Sequence, residues 1–568
     1  MPFIRKGAAL PNPTKPPAGM PAIQWSTATG PAKPQSRAIV VAYNSDIVAD
    51  LNLKLDIPVT HPATPQQEAF IYALQHSTDN MLLSARAGTG KTSTIRMAVQ
   101  ACNQKAIART VHSVGMSVWM KRNSGAIIER NKVRNILDSW EDAHKTYSST
   151  LTRVGRSFIT RLVDQAKQSG VGMLMKNEPE SYVELVETYG LDMAHSELYT
   201  RTKSISQDFE FAINLAQTIL NKSDEMTSQI IDFNDQLRAP LLANIPDNQW
   251  PQYDMVYVDE AQDISALRSM IIKKLSSSGR TVLVGDPHQS IYNFSGAMSN
   301  ALSVLQQQYH AELYPLTVTH RCPKSVVELA KQWVPDFEAH SSAPEGTVTT
   351  IDHKDWNLDT LTKDDVILCR NNRPLMDLAF KFINQNTPVR FEGKDIAGMI
   401  NSYLTKWAGI TTNAALKNKL AEYEDKQTKV LIEKHKEHQA NELKERIALV
   451  YTVLDGCINR GIKHIEGTKQ FITNLFGDTK ANDVQTRLTL TSVHKSKGKE
   501  WKRVFLLGRN IYMPAQRVLA NGTPEMLQQE YNLMYVAVTR AMDSLIEIRI
   551  PKEKKQKNHS PKEIEYGW

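Results

Sequence analysis

The stretch Ala85-Arg-Ala-Gly-Thr-Gly-Lys-Thr92 follows the apolar run Met81–Leu83 and decides how the rest of the chain is interpreted. It predicts a strand that ends in a glycine-rich turn and continues into a helix starting near Lys91. Such a turn is a phosphate cradle, because backbone N–H groups and the helix dipole converge on one anion. The usual pattern G-x-x-x-x-G-K-[ST] has Ala85 at its first position here, and a chance match in a flexible loop is the alternative.

Each residue type in this loop suits a nucleoside triphosphate. Gly88 and Gly90 let successive backbone N–H groups point at an oxyanion, and Lys91 can reach the β- and γ-phosphates. The hydroxyl of Thr92 is a ligand for Mg²⁺. We therefore expect ATP and Mg²⁺ as cofactors. The expected phosphate-binding residues are Ala87, Gly88, Thr89, Gly90, Lys91 and Thr92.

Composition limits the class of protein. The 568 residues predict roughly three to five compact units, and 41% hydrophobic residues can supply their cores. We expect a cytoplasmic protein without membrane association, because no apolar run could span a bilayer and no apolar signal core follows the first residues. Four widely spaced cysteines (Cys102, Cys322, Cys369 and Cys457) argue against a disulfide framework and a zinc site. A net charge of +8 favours a polyanionic partner, although solvated basic faces are also common.

Strand and helix patterns alternate along the chain. Between Met116 and Phe233, and again between residues 400 and 476, apolar residues recur at helical spacing. The segment Lys417–Glu445 is rich in Lys and Glu and predicts an exposed helix or helical hairpin. Strands are predicted at Arg37–Ser45, Met81–Leu83, Met255–Val258, Thr281–Val284, Val366–Cys369, Leu488–Ser492, Arg503–Leu507 and Ser544–Ile550. This alternation predicts an α/β fold with two parallel-sheet cores, each carrying a mainly helical insertion.

A second chemical signal is the strand Val256-Tyr-Val-Asp-Glu260, which ends in adjacent carboxylates. At the carboxyl end of a parallel strand both side chains can enter the crevice where ligands bind. Asp259 would hold Mg²⁺ and Glu260 would polarise an attacking water. Alone, this pair could equally be a surface turn; together with the phosphate cradle it indicates nucleotide hydrolysis.

The run D-E-A-Q-D at Asp259–Asp263 and the run V-G-D-P-H-Q-S-I-Y-N-F-S-G-A at Val284–Ala297 resemble the UvrD/Rep family of superfamily 1 DNA helicases. The resemblance continues with H-R-C-P at His320–Pro323. It extends through L-T-S-V-H-K-S-K-G-K-E-W at Leu490–Trp501 and Y-V-A-V-T-R-A at Tyr535–Ala541. These motifs occur in the family's order over residues 66–548.

The resemblance implies two RecA-like domains with ATP in the cleft between them. The first domain would supply Lys91, Thr92, Asp259 and Glu260. Gln289 would sense the γ-phosphate, and Arg321 and Arg540 would reach across as arginine fingers. An arginine that docks only when the cleft closes would couple hydrolysis to domain motion. A structural ion pair is the alternative for either arginine. The expected catalytic set is Lys91, Asp259, Glu260, Gln289, Arg321 and Arg540.

Further nucleotide contacts follow from the same resemblance. Gln66 has the spacing of the glutamine that reads adenine, although a neighbouring glutamine leaves the register open. Glu500 matches a position near the nucleotide sugar. His320 replaces the tyrosine that stacks on adenine, and Lys499 replaces an apolar residue.

The resemblance also implies DNA contacts, with core packing as the alternative for the aromatic residues. Single strands are held by basic grooves and aromatic platforms, and Tyr292 and Phe294 align with residues on which bases stack. Thr110-Val-His-Ser113 resembles a backbone-binding motif with valine in place of its aromatic residue. The expected contacts here are Thr110, His112, Tyr292, Phe294 and His494, with an interdomain contact as the alternative for His494.

One family motif is missing from its place. Between Lys91 and Thr110 eighteen residues intervene, and a helix of ~12 residues uses most of them. However, Ile39–Ser45 has the form of that motif, an apolar strand ending in A-Y-N. We therefore predict that this N-terminal strand and its following helix fill the vacant position in the sheet, and that Tyr43 and Asn44 contact DNA. A coincidental strand and helix is the alternative.

The sequence thus predicts an ATP-dependent DNA helicase that moves 3′→5′ on single-stranded DNA. The alternative is a DNA-stimulated ATPase that remodels protein–DNA complexes with little unwinding. Expected partners are single-stranded and junction DNA and a replication or repair protein, with the chain acting as a monomer. The expected division is a disordered N-terminus (1–36), a first RecA-like domain (37–115 and 233–310) with a helical insertion (116–232), a second RecA-like domain (311–399 and 477–550) with a short helical insertion (400–476), and a basic tail (551–568).

Overall fold

The computed structural model of the chain describes residues 36–42, 45–55, 57, 59, 62–189, 191, 193, 204–291, 300–385, 389–392, 394–407, 409–433, 437–476 and 488–551. The N-terminus that we predicted to be disordered (1–36) and the basic tail (551–568) lie outside these ranges, apart from Ser36 and Pro551. Within the described residues, no helix is both long enough and apolar enough to cross a membrane.

The strands of the described residues are β1 (Ser36–Ala42), β2 (Met81–Ala85), β3 (Gln104–Thr110), β4 (Ile127–Ile128), β5 (Ile230–Ile231), β6 (Met255–Val258), β7 (Arg280–Gly285), β8 (Glu312–Leu316), β9 (Val318–Thr319), β10 (Glu338–Ala339), β11 (Thr347–Asp352), β12 (Val366–Cys369), β13 (Val389–Glu392), β14 (Leu488–Ser492), β15 (Trp501–Leu507) and β16 (Ala541–Arg549).

In the described part of the chain the α-helices are α1 (Ser45–Lys54), α2 (Pro65–His76), α3 (Lys91–Ala101), α4 (Val111–Arg122), α5 (Lys132–Ala143), α6 (Ser148–Val154), α7 (Arg156–Ser169), α8 (Pro179–Tyr189), α9 (Gln207–Glu225), α10 (Asp235–Leu242), α11 (Ala266–Leu275), α12 (Ala301–Tyr309), α13 (Lys324–Ala330), α14 (Asn372–Asn384), α15 (Lys394–Leu404), α16 (Asn413–Glu433), α17 (Glu437–Asn459), α18 (Ile465–Phe476), α19 (Arg509–Tyr512), α20 (Gln516–Asn521) and α21 (Pro524–Val538).

Two six-stranded parallel sheets organise these elements. The first has the order β3-β1-β6-β7-β2-β8 and the second the order β11-β16-β15-β12-β14-β13. The predicted α/β class with two parallel sheets is therefore confirmed. Strands β3, β8, β11 and β13 were not predicted from the sequence.

Strand β1 lies inside the first sheet. It pairs with β3 from Ser36–Gln104 to Ala42–Thr110 and with β6 over Ala38–Val41. Its last five residues are buried, as the continuous apolar run of a central parallel strand requires. Helix α1 then packs against the outer strand β3. The side-chain amide of Asn52 on α1 exchanges hydrogen bonds of 2.8 and 3.0 Å with the backbone of Ala108 on β3. Strand β1 thus fills a position inside the first sheet, between β3 and β6, and α1 packs beside it on β3, as predicted.

The first helical insertion has its own core, formed mainly by α5, α7, α8 and α9. Its expected boundary at residue 116 falls inside α4. That helix packs on the first sheet through residues such as Val114 and Val118, so it belongs to the first domain. Where the insertion meets α10, Lys132 of α5 and Lys167 of α7 form buried ion pairs of 2.6 and 2.7 Å with Asp235, the first residue of α10. This pairing ties α5 and α7 to the helix that returns to the first sheet.

Two other expected boundaries need correction. The first domain does not end at residue 310, because β8 pairs with β2 at the edge of the first sheet. The second helical block, α15–α18, shares one apolar core with the second sheet rather than forming its own. Within it, α16 and α17 form a helical hairpin, with Lys417 near its start 2.6 Å from Asp455 near its end. The expected boundary at residue 400 lies inside α15.

Candidate nucleotide site and interdomain cleft

The glycine-rich loop has the backbone that the sequence predicts. Strand β2 ends at Ala85 and α3 begins at Lys91. Gly88 and Gly90 have φ angles of +68° and +86°, which residues that carry a Cβ rarely adopt. A Cβ at Gly88 would also overlap the Cβ of Arg321. The loop can therefore present successive N–H groups, and it lies directly against the segment that carries Arg321.

Lys91 lies beside the carboxylates at the end of β6. Its Nζ is 3.4 Å from Glu260 Oε1, and its side chain is 13% exposed. Burial alone would lower the pKa of Lys91, but Glu260, Asp286 and Asp259 together raise it above the ordinary value. Lys91 is therefore a permanent cation at the mouth of the glycine-rich loop.

Asp259 and Glu260 differ in environment although they are adjacent. Burial and then the charge of Glu260 raise the pKa of Asp259. Burial would also raise the pKa of Glu260, but Lys91 and Lys497 lower it below its ordinary value. Glu260 has the left-handed φ of +52°, and its Oε2 accepts a short hydrogen bond from the amide of Gln262. The backbone of Glu260 thus adopts an unusual conformation, and residues with such conformations are often found at functional sites.

Gln289 is oriented by the end of β7. Its Nε2 donates to Asp286 Oδ2 at 2.8 Å, and Asp286 N donates to Gln262 Oε1 at 3.0 Å. Gln262 and Gln289 therefore belong to one network with Glu260. The network lies at the carboxyl ends of β6 and β7, which is the edge of the sheet where ligands bind in α/β folds.

The second domain brings two arginines to the cleft. Arg321 Nε lies 2.5 Å from Glu500 Oε2. Arg540 is fully buried and donates to the carbonyl oxygens of Val536 and Lys499 at 2.9 and 3.0 Å. Burial and then the nearby Arg321 lower the pKa of Arg540 to about 9, and Cys322, Tyr535 and Glu260 partly oppose this shift. Arg540 therefore lies within electrostatic reach of both Arg321 and Glu260.

Two adjacent glutamines, Gln66 and Gln67, begin α2 and have different environments. Gln67 is buried, completes the capping box with Thr64 and donates to Thr94 Oγ1 at 2.8 Å. Gln66 is half-buried and exchanges two hydrogen bonds of 2.9 Å with Thr317. Both side-chain amides are thus hydrogen-bonded within the protein, and Gln66 differs from Gln67 in being only half-buried.

His320 and the metal-binding candidates complete the expected nucleotide contacts. The exposed ring of His320 lies 4.7 Å from that of His340. Thr92 is half-buried in the first turn of α3, and Asp259 is buried. A hydroxyl beside a glycine-rich loop and a carboxylate at the end of β6 are the oxygen donors that suit Mg²⁺. The residues present therefore fit a magnesium nucleotide.

The expected DNA contacts are partly described. Thr110 caps α4 by accepting from Ser113 N at 3.0 Å. His112 is buried and stacks on Phe233, with ring centroids 4.0 Å apart. His494 is half-buried in a short turn after β14. Tyr43, Asn44, Tyr292 and Phe294 lie outside the described residues.

Besides Gln262 and Asp286, the sequence analysis did not single out Phe233, which contacts the DNA-contact candidate His112, or Lys497, which lies in the cleft. Phe233 is 58% exposed although it stacks on His112. Lys497 donates to Asp263 Oδ2 and to the carbonyl oxygen of Gln289, which joins the two domains. Lys497 had a sequence signal, because it lies in the same motif, Leu490–Trp501, as His494 and Glu500. A single phenylalanine between β5 and α10 gives no signal of its own.

Comparisons with known proteins agree with this arrangement. Residues 97–310 match the UvrD/REP helicase N-terminal domain, and residues 390–550 match the UvrD-like helicase C-terminal domain. The chain is similar to F-box DNA helicase 1 of Gallus gallus (25% identical, covering 52% of this chain and 29% of the relative). It is also similar to F-box DNA helicase protein 1 of Schizosaccharomyces pombe (25% identical, 58% and 38%) and to ATP-dependent DNA helicase UvrD2 of Mycobacterium tuberculosis (25% identical, 55% and 50%).

The chain thus spans about a third to a half of the length of these curated relatives. The two matched domains occur in the family's order. Glu260 and Gln289 lie in the first match and Arg540 in the second, whereas the glycine-rich loop and Arg321 lie outside both matched ranges. The chain belongs to the UvrD/Rep-like superfamily 1 helicases.

Proposed function

We propose that this chain is an ATP-dependent DNA helicase that translocates 3′→5′ on single-stranded DNA and unwinds duplex DNA. The observation that carries the proposal is the composition of the cleft. Lys91 and Glu260 of the first domain form an ion pair at 3.4 Å, and from the second domain Arg321 lies against Gly88 of the loop while Arg540 interacts electrostatically with Glu260. A site divided in this way is complete only when both domains contribute.

Each side chain has a role in phosphoryl transfer. Lys91, the N–H groups of Gly88–Gly90 and the two arginines would bind the phosphates, whereas the N–H of Ala87 donates to the hydroxyl of Tyr535. Thr92 and Asp259 would hold Mg²⁺, which supplies charge neutralisation when bound. Glu260 is kept ionised by Lys91 and Lys497, so it can accept a proton from or orient a water. Gln289 is held by Asp286 and would report the γ-phosphate to the rest of the network. Gln66, His320 and Glu500 would contact the base and sugar.

Domain closure supports the proposed motion along DNA. The second domain contacts the first through Lys497, and the side chain of Asn532 donates to Ser290 O at 2.9 Å. Ser290 immediately precedes the segment that carries Tyr292 and Phe294. Changes at the nucleotide site would therefore alter the position of residues that we propose to stack on bases.

The DNA-binding surface would include Thr110, His112 and Phe233 on the first domain. Stacked aromatic rings with an exposed face bind bases without sequence preference, and Phe233 offers such a face. His494 would add a contact from the second domain, and Tyr43, Asn44, Tyr292 and Phe294 complete the proposed set. We further propose a cytoplasmic monomer that acts on single-stranded and junction DNA with a replication or repair partner.

The decisive experiment measures ATP hydrolysis with and without single-stranded DNA, for the wild-type protein and for Lys91→Ala. We expect strong stimulation by DNA and no stimulated activity in the variant. An ATPase rate that does not respond to DNA would overturn the proposal.

The alternative is a DNA-stimulated ATPase that displaces bound proteins with little unwinding. Its supporting observation is that α15–α18 share a core with the second sheet, so they have less freedom to move as a separate unit. A strand-displacement assay beside a translocation assay distinguishes the two functions. Translocation without strand displacement would favour the alternative.

A further inference from the structure

His340 lies beside His320, the residue whose ring would stack on the base of the nucleotide. The two ring centroids are 4.7 Å apart, and the ring planes are tilted by 36°. Centroid separations of this size are typical of interacting aromatic rings. His320 is exposed, whereas His340 is half-buried. The half-buried ring therefore limits the orientations that the exposed ring can adopt.

The short parallel strands β9 and β10 bring the two histidines together. Thr319 at the end of β9 is paired with Ala339 at the end of β10, and His340 N donates to the carbonyl oxygen of Thr319 at 3.1 Å. Because paired residues of neighbouring strands project from the same face of a sheet, the next residue of each strand lies beside the other. The contact between His320 and His340 is therefore set by the register of the backbone.

The ring of His340 is itself held by a hydrogen-bonded turn. Its Nδ1 lies 2.7 Å from the hydroxyl of Ser342 and accepts from Ser342 N at 3.3 Å. A backbone N–H can only donate, so we assign the ring proton of His340 to Nε2. The ring thus has a fixed orientation, and it can act as a support for the more exposed His320.

The same two strands hold the other residue that we expect to contact the base. Thr317, which directly precedes β9, exchanges two hydrogen bonds of 2.9 Å with Gln66. Glu338 N, on β10, donates to the carbonyl oxygen of Thr317 at 3.0 Å. The pair β9–β10 therefore carries the Gln66 contact at one end and the two histidines at the other.

We propose that His340 is a positioning residue for the nucleobase, which holds the imidazole of His320 in the orientation that stacks on the base. This inference rests on the proposed function, because it requires a nucleotide beside the glycine-rich loop. An imidazole offers less surface for stacking than the tyrosine that it replaces, so a defined orientation matters more. A side chain that is ordered before binding also avoids the entropic cost of ordering during binding.

A positioning role of this kind has two signatures. It affects the ground state and the transition state equally, so its loss should raise KM and leave kcat nearly unchanged. It also acts only on ligands that carry a base. Tripolyphosphate has the phosphates of ATP but no base, so its affinity should not depend on His340.

The test variants are His340→Ala, which removes the ring, and His340→Phe, which keeps a ring that can contact His320. Titration with ATP that carries a methylanthraniloyl label on its ribose gives the Kd of the nucleotide, and displacement of this probe gives the Kd of tripolyphosphate. For His340→Ala we expect the Kd of labelled ATP and the KM of ATP to rise about fivefold, an effect of the size that contacting residues have on each other. The value of kcat and the Kd of tripolyphosphate should stay within about twofold of wild type.

Two comparisons guard against a merely structural effect. His340→Phe should recover most of the affinity for labelled ATP. The matched control is His76→Ala, at a histidine that also stacks on a neighbouring ring, 4.1 Å from Tyr72, but lies at the opposite end of α2 from Gln66. This control should bind labelled ATP as wild type does.

A double-mutant cycle decides whether His340 acts through His320. In the His320→Ala background, His340→Ala should weaken the binding of labelled ATP by less than about twofold. A further fivefold loss in that background, an equal loss of affinity for tripolyphosphate, or an unchanged Kd in the single variant would overturn the inference. So would a wild-type protein that binds ATP no more tightly than tripolyphosphate. A wild-type protein that binds ATP but shows no DNA-stimulated hydrolysis would instead remove the proposed helicase function, and the titrations would still decide the role of His340.

Discussion

Lys497 of the second domain donates from Nζ to Asp263 Oδ2 of the first domain at 2.5 Å and to the carbonyl oxygen of Gln289 at 2.6 Å. Asp263 is 1% exposed, and the side chain of Lys497 is 8% exposed. A buried charge pair across a cleft forms only when the two surfaces are in contact. This lysine therefore joins the carboxylate motif after β6 to the turn that follows β14.

The first prediction concerns this link. Lys497→Met keeps most of the side-chain length but leaves Asp263 buried without its cation, and breaking a buried pair in this way costs about 3–5 kcal/mol. Since about 1.4 kcal/mol corresponds to a tenfold change in rate, we expect the DNA-stimulated ATPase rate to fall at least about tenfold. Lys502→Met, at an exposed lysine on β15, is the control. Equal activity of the two variants would contradict the role of Lys497 in closure.

The second prediction separates binding from hydrolysis at the Lys91–Glu260 pair. Both Lys91→Ala and Glu260→Gln should lower the hydrolysis rate at least about 100-fold, as removal of a group that stabilises the transition state does. Relative to wild type, the two substitutions should change the affinity for nucleotide in opposite directions. Lys91→Ala removes a phosphate contact, whereas Glu260→Gln frees Lys91 from a competing carboxylate 3.4 Å away and should tighten binding.

Titration with a fluorescent ATP analogue and a phosphate-release assay measure these two quantities, with Lys105→Ala, at an exposed residue of β3, as the control. Weaker nucleotide binding by Glu260→Gln would argue that Glu260 does not compete for Lys91.

The third prediction tests the exposed ring of Phe233. Stacking of a base on an aromatic side chain contributes about 1–3 kcal/mol, so Phe233→Ala should weaken single-stranded DNA binding about 5- to 150-fold. Fluorescence anisotropy with a labelled oligonucleotide at fixed salt measures the affinity. Leu53→Ala removes another exposed apolar side chain, 75% exposed on α1, and should leave the affinity unchanged. Identical affinities for both variants would exclude Phe233 from the DNA surface.

The fourth prediction is a pH dependence of stability. Burial and then the charge of Arg268 lower the pKa of His112 from 6.5 to about 3. Between these values the unfolded chain binds more protons than the native protein, so the contribution of His112 is complete above about pH 6.5 and is lost as the pH falls toward 3. The slope from this residue is about 1.4 kcal/mol per pH unit.

Urea titrations at pH 5 and pH 7 measure this slope. His112→Gln should show a smaller difference in the free energy of unfolding between the two pH values than wild type does. His464→Gln changes an exposed histidine and should behave as wild type. A wild-type difference that survives in His112→Gln would assign the pH dependence to other groups.

Local sequence patterns predicted much of the ATP half of the site. The glycines of the loop, the start of α3 at Lys91 and the carboxylates at the end of β6 follow from neighbours within a few residues, because strand, turn and helix signals are local. The position of β1 was also predicted, from an apolar run and a vacancy in the expected order of motifs. Strands β3, β8 and β11 were missed, because each carries too many polar residues to show a strand pattern. Strand β13 alternates apolar and polar residues but is only four residues long, too short for its pattern to stand out.

The chain sequence by itself thus determined the two parallel sheets, the chemistry of the loop and the residue types available for hydrolysis. Only the tertiary structure decided which distant residues meet: Arg86 with Asp336, Lys497 with Asp263 and His112 with Phe233. It also decided that α15–α18 share a core with the second sheet. The physical reason is that an ion pair or a ring stack depends on the distance and burial of side chains far apart in the chain, and those quantities exist only after the sheets and helices have packed.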